Sequence, residues 1–102
     1  MGRFVRVAAA TTLVNNAGVC VEVEGKRIAL FRSGDEIFAI DDACTHRGGP
    51  LSEGDLVGEV VTCPWHGATF DLRTGETQGG PAPSEVDRYA VRITGDDVEV
   101  EI

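Results

Sequence analysis

Two stretches of the chain, CTHRGGPL at residues 44–51 and CPWHGATF at residues 63–70, share one pattern: a cysteine, a histidine close behind it, and then glycine. Together they hold both histidines of the chain and two of its three cysteines. Thiolates and imidazoles are the ligands that proteins use for zinc and for some two-iron clusters. The two stretches therefore predict a metal centre. Its candidate ligands are Cys44, His46, Cys63 and His66.

Both stretches lie on turns that leave predicted strands. Gly48, Gly49 and Gly67 have no Cβ, so backbone can crowd close to a bound group at these positions. Pro50 and Pro64 restrict the loops, which lowers the entropy that is lost when the loops bind a metal. The local sequence thus favours two short, stiff loops that meet at one centre.

Three interpretations of the pattern are open from the residues alone: unrelated thiols and imidazoles, a structural zinc site, or a two-iron cluster in which two histidines replace two cysteines on one iron. Coincidence is disfavoured because both histidines lie beside cysteines in matching Gly/Pro turns. Zinc fingers usually pair cysteine with cysteine and carry histidine on a helix. Here the order is Cys-x-His, sixteen residues, then Cys-x-x-His, and no helical period is evident.

Outside the two stretches, the chain reads as a series of short strands. Alternating apolar runs are separated by turn sequences, and Val is frequent while Met occurs once. The turns fall at residues 24–26, 33–36, 73–76 and 94–97. We therefore predict an all-β domain of eight to ten strands, a small antiparallel sandwich or barrel, that occupies residues 1–102 as a single unit.

Composition limits the partners and the location of the chain. The formal net charge of -8 argues against binding to nucleic acid or to an anionic membrane, because these surfaces require Lys and Arg. No apolar run is long enough to span a bilayer and no signal peptide is evident, so we expect a cytoplasmic protein. Cys20, the third cysteine, lies in an alternating apolar run and is predicted to be a small buried thiol.

The motifs CTHRGGPL and CPWHGATFDLRTGE resemble both halves of the Rieske signature. Nearly the whole chain is similar to the Rieske-type ferredoxins of bacterial ring-hydroxylating oxygenase systems, which act in aromatic hydrocarbon catabolism. The resemblance implies a cluster-binding subdomain made of two ligand loops and a third loop that contains proline. It also implies one Rieske [2Fe–2S] cluster per chain, with Cys44 and Cys63 on the inner iron and His46 and His66 on the outer iron.

Further roles follow from the same resemblance. Backbone N–H groups of the first loop and around Gly67 are expected to face the cluster sulfurs. Either Pro81 or Pro83 corresponds to the proline that covers the cluster in the family. Val86 corresponds to the leucine that anchors this third loop. The first-loop residues concerned are Thr45, Arg47 and Gly48.

High-potential Rieske proteins carry an extra cysteine in each motif, joined as a disulfide, and Ser and Tyr hydroxyls near the cluster. The matching positions in this chain are Gly49, Trp65, Ala68 and Phe70. These residues supply neither the two cysteines of the disulfide nor the two hydroxyls. Fewer hydrogen bonds to the cluster and an acidic protein both disfavour the reduced state, since reduction adds one negative charge. The resemblance therefore implies a reduction potential on the order of -150 mV, near the low end of the Rieske range.

The histidine count argues for a carrier instead of an enzyme. A Rieske oxygenase also needs a mononuclear iron held by two histidines and a carboxylate, and the cluster uses both histidines of this chain. The resemblance implies a monomeric shuttle from a flavin-containing NAD(P)H ferredoxin reductase to a terminal oxygenase. Two alternatives remain: the small subunit of an assimilatory nitrite reductase, and a zinc-stabilised binding module.

The partners are expected to dock transiently over the outer iron, and Trp65 is either a contact residue there or a lid that keeps water from the cluster. The residues of this docking face are His46, His66, Pro64, Trp65 and Pro81. Several acidic residues are candidates for steering a basic partner, although a plain solvated surface explains most of them. They are Asp35, Glu36, Asp41, Asp42, Glu53 and Asp55.

Overall fold

The computed structural model describes residues 2–43, 49–65, 67–79 and 85–102. Within these ranges the chain forms eleven short strands and two single-turn 3-10 helices, in agreement with the predicted all-β class. The strands are β1 (Phe4–Ala9), β2 (Ala17–Val23), β3 (Lys26–Ser33), β4 (Glu36–Asp41), β5 (Asp55–Val57), β6 (Val60–Thr62), β7 (Thr69–Asp71), β8 (Thr77–Gly79), β9 (Arg88–Tyr89), β10 (Val91–Thr94) and β11 (Asp97–Glu101). The 3-10 helices are Ala10–Thr12 and Leu51–Glu53. No helix among the described residues has the length and apolar character to cross a membrane.

The strands form three antiparallel sheets. The first sheet has the order β1-β11-β10, the middle sheet β2-β3-β4-β9, and the third sheet β5-β6-β7-β8. The four predicted turns lie where the sequence places them, between β2 and β3, β3 and β4, β7 and β8, and β10 and β11. In the first of these, Glu24 and Gly25 have φ values of 50° and 84°, the two successive positive values typical of a tight hairpin turn.

Strand β3 explains how the sheets stack. All four residues from Ile28 to Phe31 are buried. Ile28 and Leu30 pack in a core with Val100 of the first sheet, whereas Ala29 and Phe31 pack in a core with residues of the third sheet. Because side chains alternate across a strand, an unbroken apolar run requires cover on both faces. The middle sheet is therefore the shared wall of two cores.

The structure has eleven strands in its described part where the sequence predicts eight to ten. The difference arises at two places. The turn at Gly58, between β5 and β6, is not among the predicted turns, and near the C-terminus the run around the turn at 94–97 predicts a single hairpin. Arg88–Tyr89 pairs with β4 of the middle sheet, while Val91 begins a strand of the first sheet. The chain changes sheets at Ala90. A two-residue strand is too short for an alternating pattern to reveal.

Candidate metal centre

Cys63 directly follows β6 and is almost completely buried, with 3% of its surface exposed. Its N–H donates to the carbonyl of Ala68 at 2.7 Å, and the N–H of Gly67 donates to the Cys63 carbonyl at 3.2 Å. Gly67 has a φ of 78°, in the left-handed region that glycine adopts without steric cost. The turn that presents the second thiol is thus closed by backbone hydrogen bonds. His66, the ligand predicted on this turn, lies outside the described residues.

The first ligand loop is described at its two ends. Ala43 and Pro50 form an isolated antiparallel bridge. The N–H of Leu51 donates to the carbonyl of Asp42 at 2.7 Å, and Leu51 is fully buried. Residues 42 and 51, which flank the first ligand loop, are therefore fixed against each other. The residues outside the described part here are Cys44, Thr45, His46, Arg47 and Gly48.

Gly49 brings the two ligand loops into contact. A Cβ at this position would lie 2.7 Å from Cys63 Sγ and 3.1 Å from Cγ and Cδ2 of Trp65. The first distance is shorter than a Cβ contact allows, so the loops approach this closely because residue 49 is glycine. The resemblance matched Gly49 and Trp65 to the two half-cystines of high-potential proteins, and the two positions do lie side by side.

The interior side of the centre is apolar. Ala68 and Phe70 are fully buried and belong to the same core as Cys63. Val86, expected to anchor the third loop, is buried in this core too. Its N–H donates to the carbonyl of Gly75 at 2.9 Å, which ties the end of that loop to the turn after β7. The candidate covering residues Pro81 and Pro83 lie outside the described part of the chain.

Trp65 is 57% exposed, so the predicted exposed position of its side chain is confirmed. Pro64 beside it is exposed as well. The Trp65 ring forms one wall of a surface groove of about 300 Å³ next to the ligand loops. The groove is lined by Arg27, Asp42, Ala43, Pro50, Glu53 and Trp65.

Asp42 corrects one expectation from the sequence. It was grouped with surface acids that steer a partner, but only 3% of its surface is exposed. The alternation of β4 could have indicated this burial. Asp42 lies two residues after the buried Ile40, so its side chain continues the same face. Four of the other acids are exposed, while Asp41 is half-buried and accepts a hydrogen bond from the Tyr89 hydroxyl. The exposed four are Asp35, Glu36, Glu53 and Asp55.

Cys20 is half-buried, whereas the sequence predicted a buried thiol. It lies in β2, which is an edge strand of the middle sheet within the described part of the chain. Partial burial raises the pKa of the Cys20 thiol, and the Arg27 side chain next to it opposes that shift. Neither Cys20 nor Cys63 forms a disulfide in the described structure.

Residues 3–90 match the sequence profile of the Rieske [2Fe-2S] domain. The chain belongs to the Rieske [2Fe–2S] domain family. The match covers most of the chain and includes both motifs, so it places the predicted ligand loops within the domain that defines the family.

Relatives of this Rieske domain have names that describe components of oxygenase systems. It is 38% identical over 82 residues to the ferredoxin component of a naphthalene 1,2-dioxygenase system from Pseudomonas aeruginosa. The aligned region covers 80% of this chain and 79% of that protein. It is 43% identical over 77 residues to the anthranilate 1,2-dioxygenase ferredoxin subunit of Burkholderia cepacia, across 76% of this chain and 71% of that one. A ferredoxin solved in a complex of reduced oxygenase and oxidized ferredoxin of carbazole 1,9a-dioxygenase superposes with a TM-score of 0.90 at 33% identity, over 95% of this chain and 91% of that chain.

The residues of this Rieske domain fit the cluster that the family name implies. Cys63 offers a buried thiol on a turn closed by backbone hydrogen bonds. Gly49 leaves space beside that thiol which any other residue would fill. The two motifs supply two thiols and two imidazoles, the donor set of a Rieske centre.

Proposed function

We propose that this Rieske domain, a single unit over residues 1–102, is a one-electron carrier. It takes electrons from a flavin-containing NAD(P)H ferredoxin reductase and passes them to a terminal ring-hydroxylating oxygenase. The close approach of Gly49 to both Cys63 Sγ and the Trp65 ring carries the proposal, because it brings a predicted ligand thiol and an exposed aromatic ring to the same residue. The names of the relatives, which are ferredoxin components of naphthalene and anthranilate dioxygenase systems, support the assignment to this class of partner.

The proposed ligands of one [2Fe–2S] cluster per chain are Cys44, His46, Cys63 and His66. When bound, the cluster supplies one-electron redox chemistry. The turn from Cys63 to Ala68 fixes the direction of its thiol, and the buried Phe70 and Ala68 exclude water from the interior side. In this proposal each histidine would bind one iron through one ring nitrogen, which would leave its other ring N–H free to donate to a partner.

A carrier role suits the residues better than a catalytic role. The chain contains two histidines, and both are assigned to the cluster. None remains for the two-histidine, one-carboxylate site that a mononuclear iron oxygenase requires. The chemistry on the aromatic substrate is therefore assigned to the partner.

We infer a low reduction potential, on the order of -150 mV. Ala68 and Phe70 are buried beside Cys63 and carry no hydroxyl that could donate to a cluster sulfur. The net charge of -8 acts in the same direction, because reduction of the cluster adds a negative charge to an already acidic protein. A measured potential well above zero contradicts this inference.

The proposed docking face comprises His46, His66, Pro64, Trp65 and Pro81, of which the structure describes Pro64 and Trp65, both exposed. The carbazole dioxygenase complex, in which a similar ferredoxin is seen with its oxygenase, supports direct docking to an oxygenase. Redox partners usually bury small interfaces, so we expect a transient complex. We further propose a cytoplasmic monomer that binds neither nucleic acid nor membrane.

Electron paramagnetic resonance of the reduced protein tests the cluster directly. We expect a rhombic signal with an average g value below two, a reddish-brown colour, and two irons and two sulfides per chain. Colourless protein with one zinc would establish the binding-module alternative instead. Electron transfer to a nitrite reductase, with none to a ring-hydroxylating oxygenase, would establish the other alternative.

Replacement of Trp65 tests the docking face. Trp65→Ala removes an exposed ring, so we expect the wild-type spectrum but a lower second-order rate constant for electron transfer to the oxygenase. Val57→Ala is the matched control, because Val57 is also exposed but lies at the opposite end of the β5–β6 hairpin from Cys63. A changed spectrum for Trp65→Ala would favour the role of a lid over that of a contact.

A further inference from the structure

Asp42 is a buried carboxylate at the point where the first ligand loop begins. Its side chain is 4% exposed, and Oδ1 accepts a hydrogen bond of 2.8 Å from the N–H of Ser52, itself buried. Oδ2 lies 3.5 Å from Nη2 of Arg27. Arg27 is mostly exposed, so it offsets only part of the cost of burying the charge.

The backbone of Asp42 makes two further hydrogen bonds that join the same elements. Its N–H donates to the carbonyl of Arg27 at 3.0 Å, and its carbonyl accepts from the N–H of Leu51 at 2.7 Å. One residue thus connects β3, the end of β4 and the 3-10 helix that begins at Leu51. Ala43 and Pro50, described residues on either side of the first motif's predicted ligands, are therefore both held beside Asp42.

This arrangement has a consequence for the loop that it closes. A loop whose ends are free loses more entropy on adopting one shape than a loop whose ends are already joined. The side-chain bond to Ser52 fixes the returning end beyond what the backbone bond to Leu51 does alone. A carboxylate that accepts from an N–H is also a stronger acceptor than a neutral group.

We propose that Asp42 is a positioning residue that holds the first ligand loop in its cluster-binding shape and lowers the cluster potential through its buried charge. The inference rests on the proposed function, since it needs Cys44 and His46 to be ligands. Asp42 contacts neither partner nor cluster in this proposal. It acts through the loop ends and through its charge, which lies two residues before Cys44.

Two substitutions separate the two effects. Asp42→Asn keeps an oxygen that accepts from Ser52 but removes the charge, so we expect near-normal iron content and a higher reduction potential. Asp42→Ala removes the acceptor as well, so we expect less iron per chain and faster loss of the cluster. The Ser52 amide should exchange with deuterium about tenfold faster in Asp42→Ala than in the wild type, a factor that corresponds to about 1.4 kcal/mol.

Asp96→Ala is the matched control. Asp96 Oδ1 accepts a 3.0 Å hydrogen bond from the N–H of Thr11, in the turn between β10 and β11 of the first sheet. Asp96 is exposed and also accepts a hydrogen bond from the Thr11 hydroxyl, so its loss removes at least the same kind of bond, together with a carboxylate, at a place outside the ligand loops. We expect Asp96→Ala to leave iron content, potential and exchange at Ser52 unchanged.

The outcomes decide the proposal in both directions. Wild-type iron content and Ser52 exchange in Asp42→Ala would overturn the positioning role, and so would loss of the cluster in Asp42→Asn. An unchanged potential in Asp42→Asn would overturn the charge effect. Absence of a Rieske signal from the wild type would instead refute the proposed function, while the exchange measurement at Ser52 would still report on the closure of the loop.

Discussion

At the scale of single residues, the packing around the predicted metal centre depends on glycine at two points of close approach. Gly49 has no positive φ, so its requirement for glycine comes from space and not from backbone conformation. Gly75 needs glycine for both reasons, since its φ is 78° and a Cβ would lie 2.4 Å from the Val86 carbonyl oxygen. Gly49 lets the two ligand loops approach each other. Gly75 lets the backbone of Val86, at the end of the third loop, pack against the turn after β7.

Gly49→Ala should therefore impair cluster binding. The new Cβ would overlap Cys63 Sγ, and insertion of a methyl into a tightly packed site costs about 1–3 kcal/mol. We expect less iron per chain and an altered spectrum. Gly34→Ala is the control, because Gly34 has open space but a φ of 63°, where a non-glycine residue costs roughly 1–2 kcal/mol. It should lower stability similarly and leave iron content unchanged; equal loss of iron in both variants would refute the steric argument.

At the scale of elements, the third sheet must be held rigidly on the middle sheet, because Cys63 extends from its strand β6. Buried side chains supply one connection, through the packing of Phe31 with Val61 and Phe70. Arg73 supplies another at the surface. Its guanidinium pairs with Glu59 of the β5–β6 turn and with Glu36 at the start of β4, and it stacks 5.3 Å from the Phe38 ring centroid.

The pairing of Arg73 predicts a stability difference that depends on pH. The hydrogen bond from Arg73 lowers the pKa of Glu59 below its ordinary value of 4.5, so this contribution is present above that value and is lost as the pH falls through the lowered pKa. Arg73→Met should reduce the free energy of unfolding at pH 7, and its deficit relative to wild type should shrink below pH 4.5. Urea unfolding at several pH values measures this.

Arg6→Met serves as the comparison for Arg73. Arg6 pairs with Asp97 inside one sheet, so its loss disconnects no sheets from each other. We expect a smaller deficit for Arg6→Met than for Arg73→Met at pH 7. A deficit of Arg73→Met that stays constant down to pH 3 would show that the stacking on Phe38, and not the ion pairs, accounts for its contribution.

At the scale of the whole molecule, the sequence revealed local features better than distant contacts. Four of the hairpin turns were readable because turn residues and alternation act within a few positions, whereas the turn at Gly58 between β5 and β6 was missed. The pairing of β4 with β9 joins Ala39 to Tyr89, and no local pattern encodes a contact across that distance. The burial of Asp42 was readable in principle, but two adjacent aspartates resemble a solvated surface. The close approach of Gly49 to Cys63 needed coordinates, because spacing alone does not bring two loops together.

The charge of the whole molecule leads to a last prediction. A net charge of -8 attracts a partner with a basic docking patch over a range set by the Debye length, which falls from about 10 Å at 0.1 M salt to about 3 Å at 1 M. Electron transfer to the proposed oxygenase partner should therefore slow steeply as salt rises. Transfer to a small uncharged oxidant should change little over the same range, which controls for effects of salt on the protein itself. A partner rate that rises or stays level with salt would show that the apolar contact at Trp65, and not the long-range charge, governs the encounter.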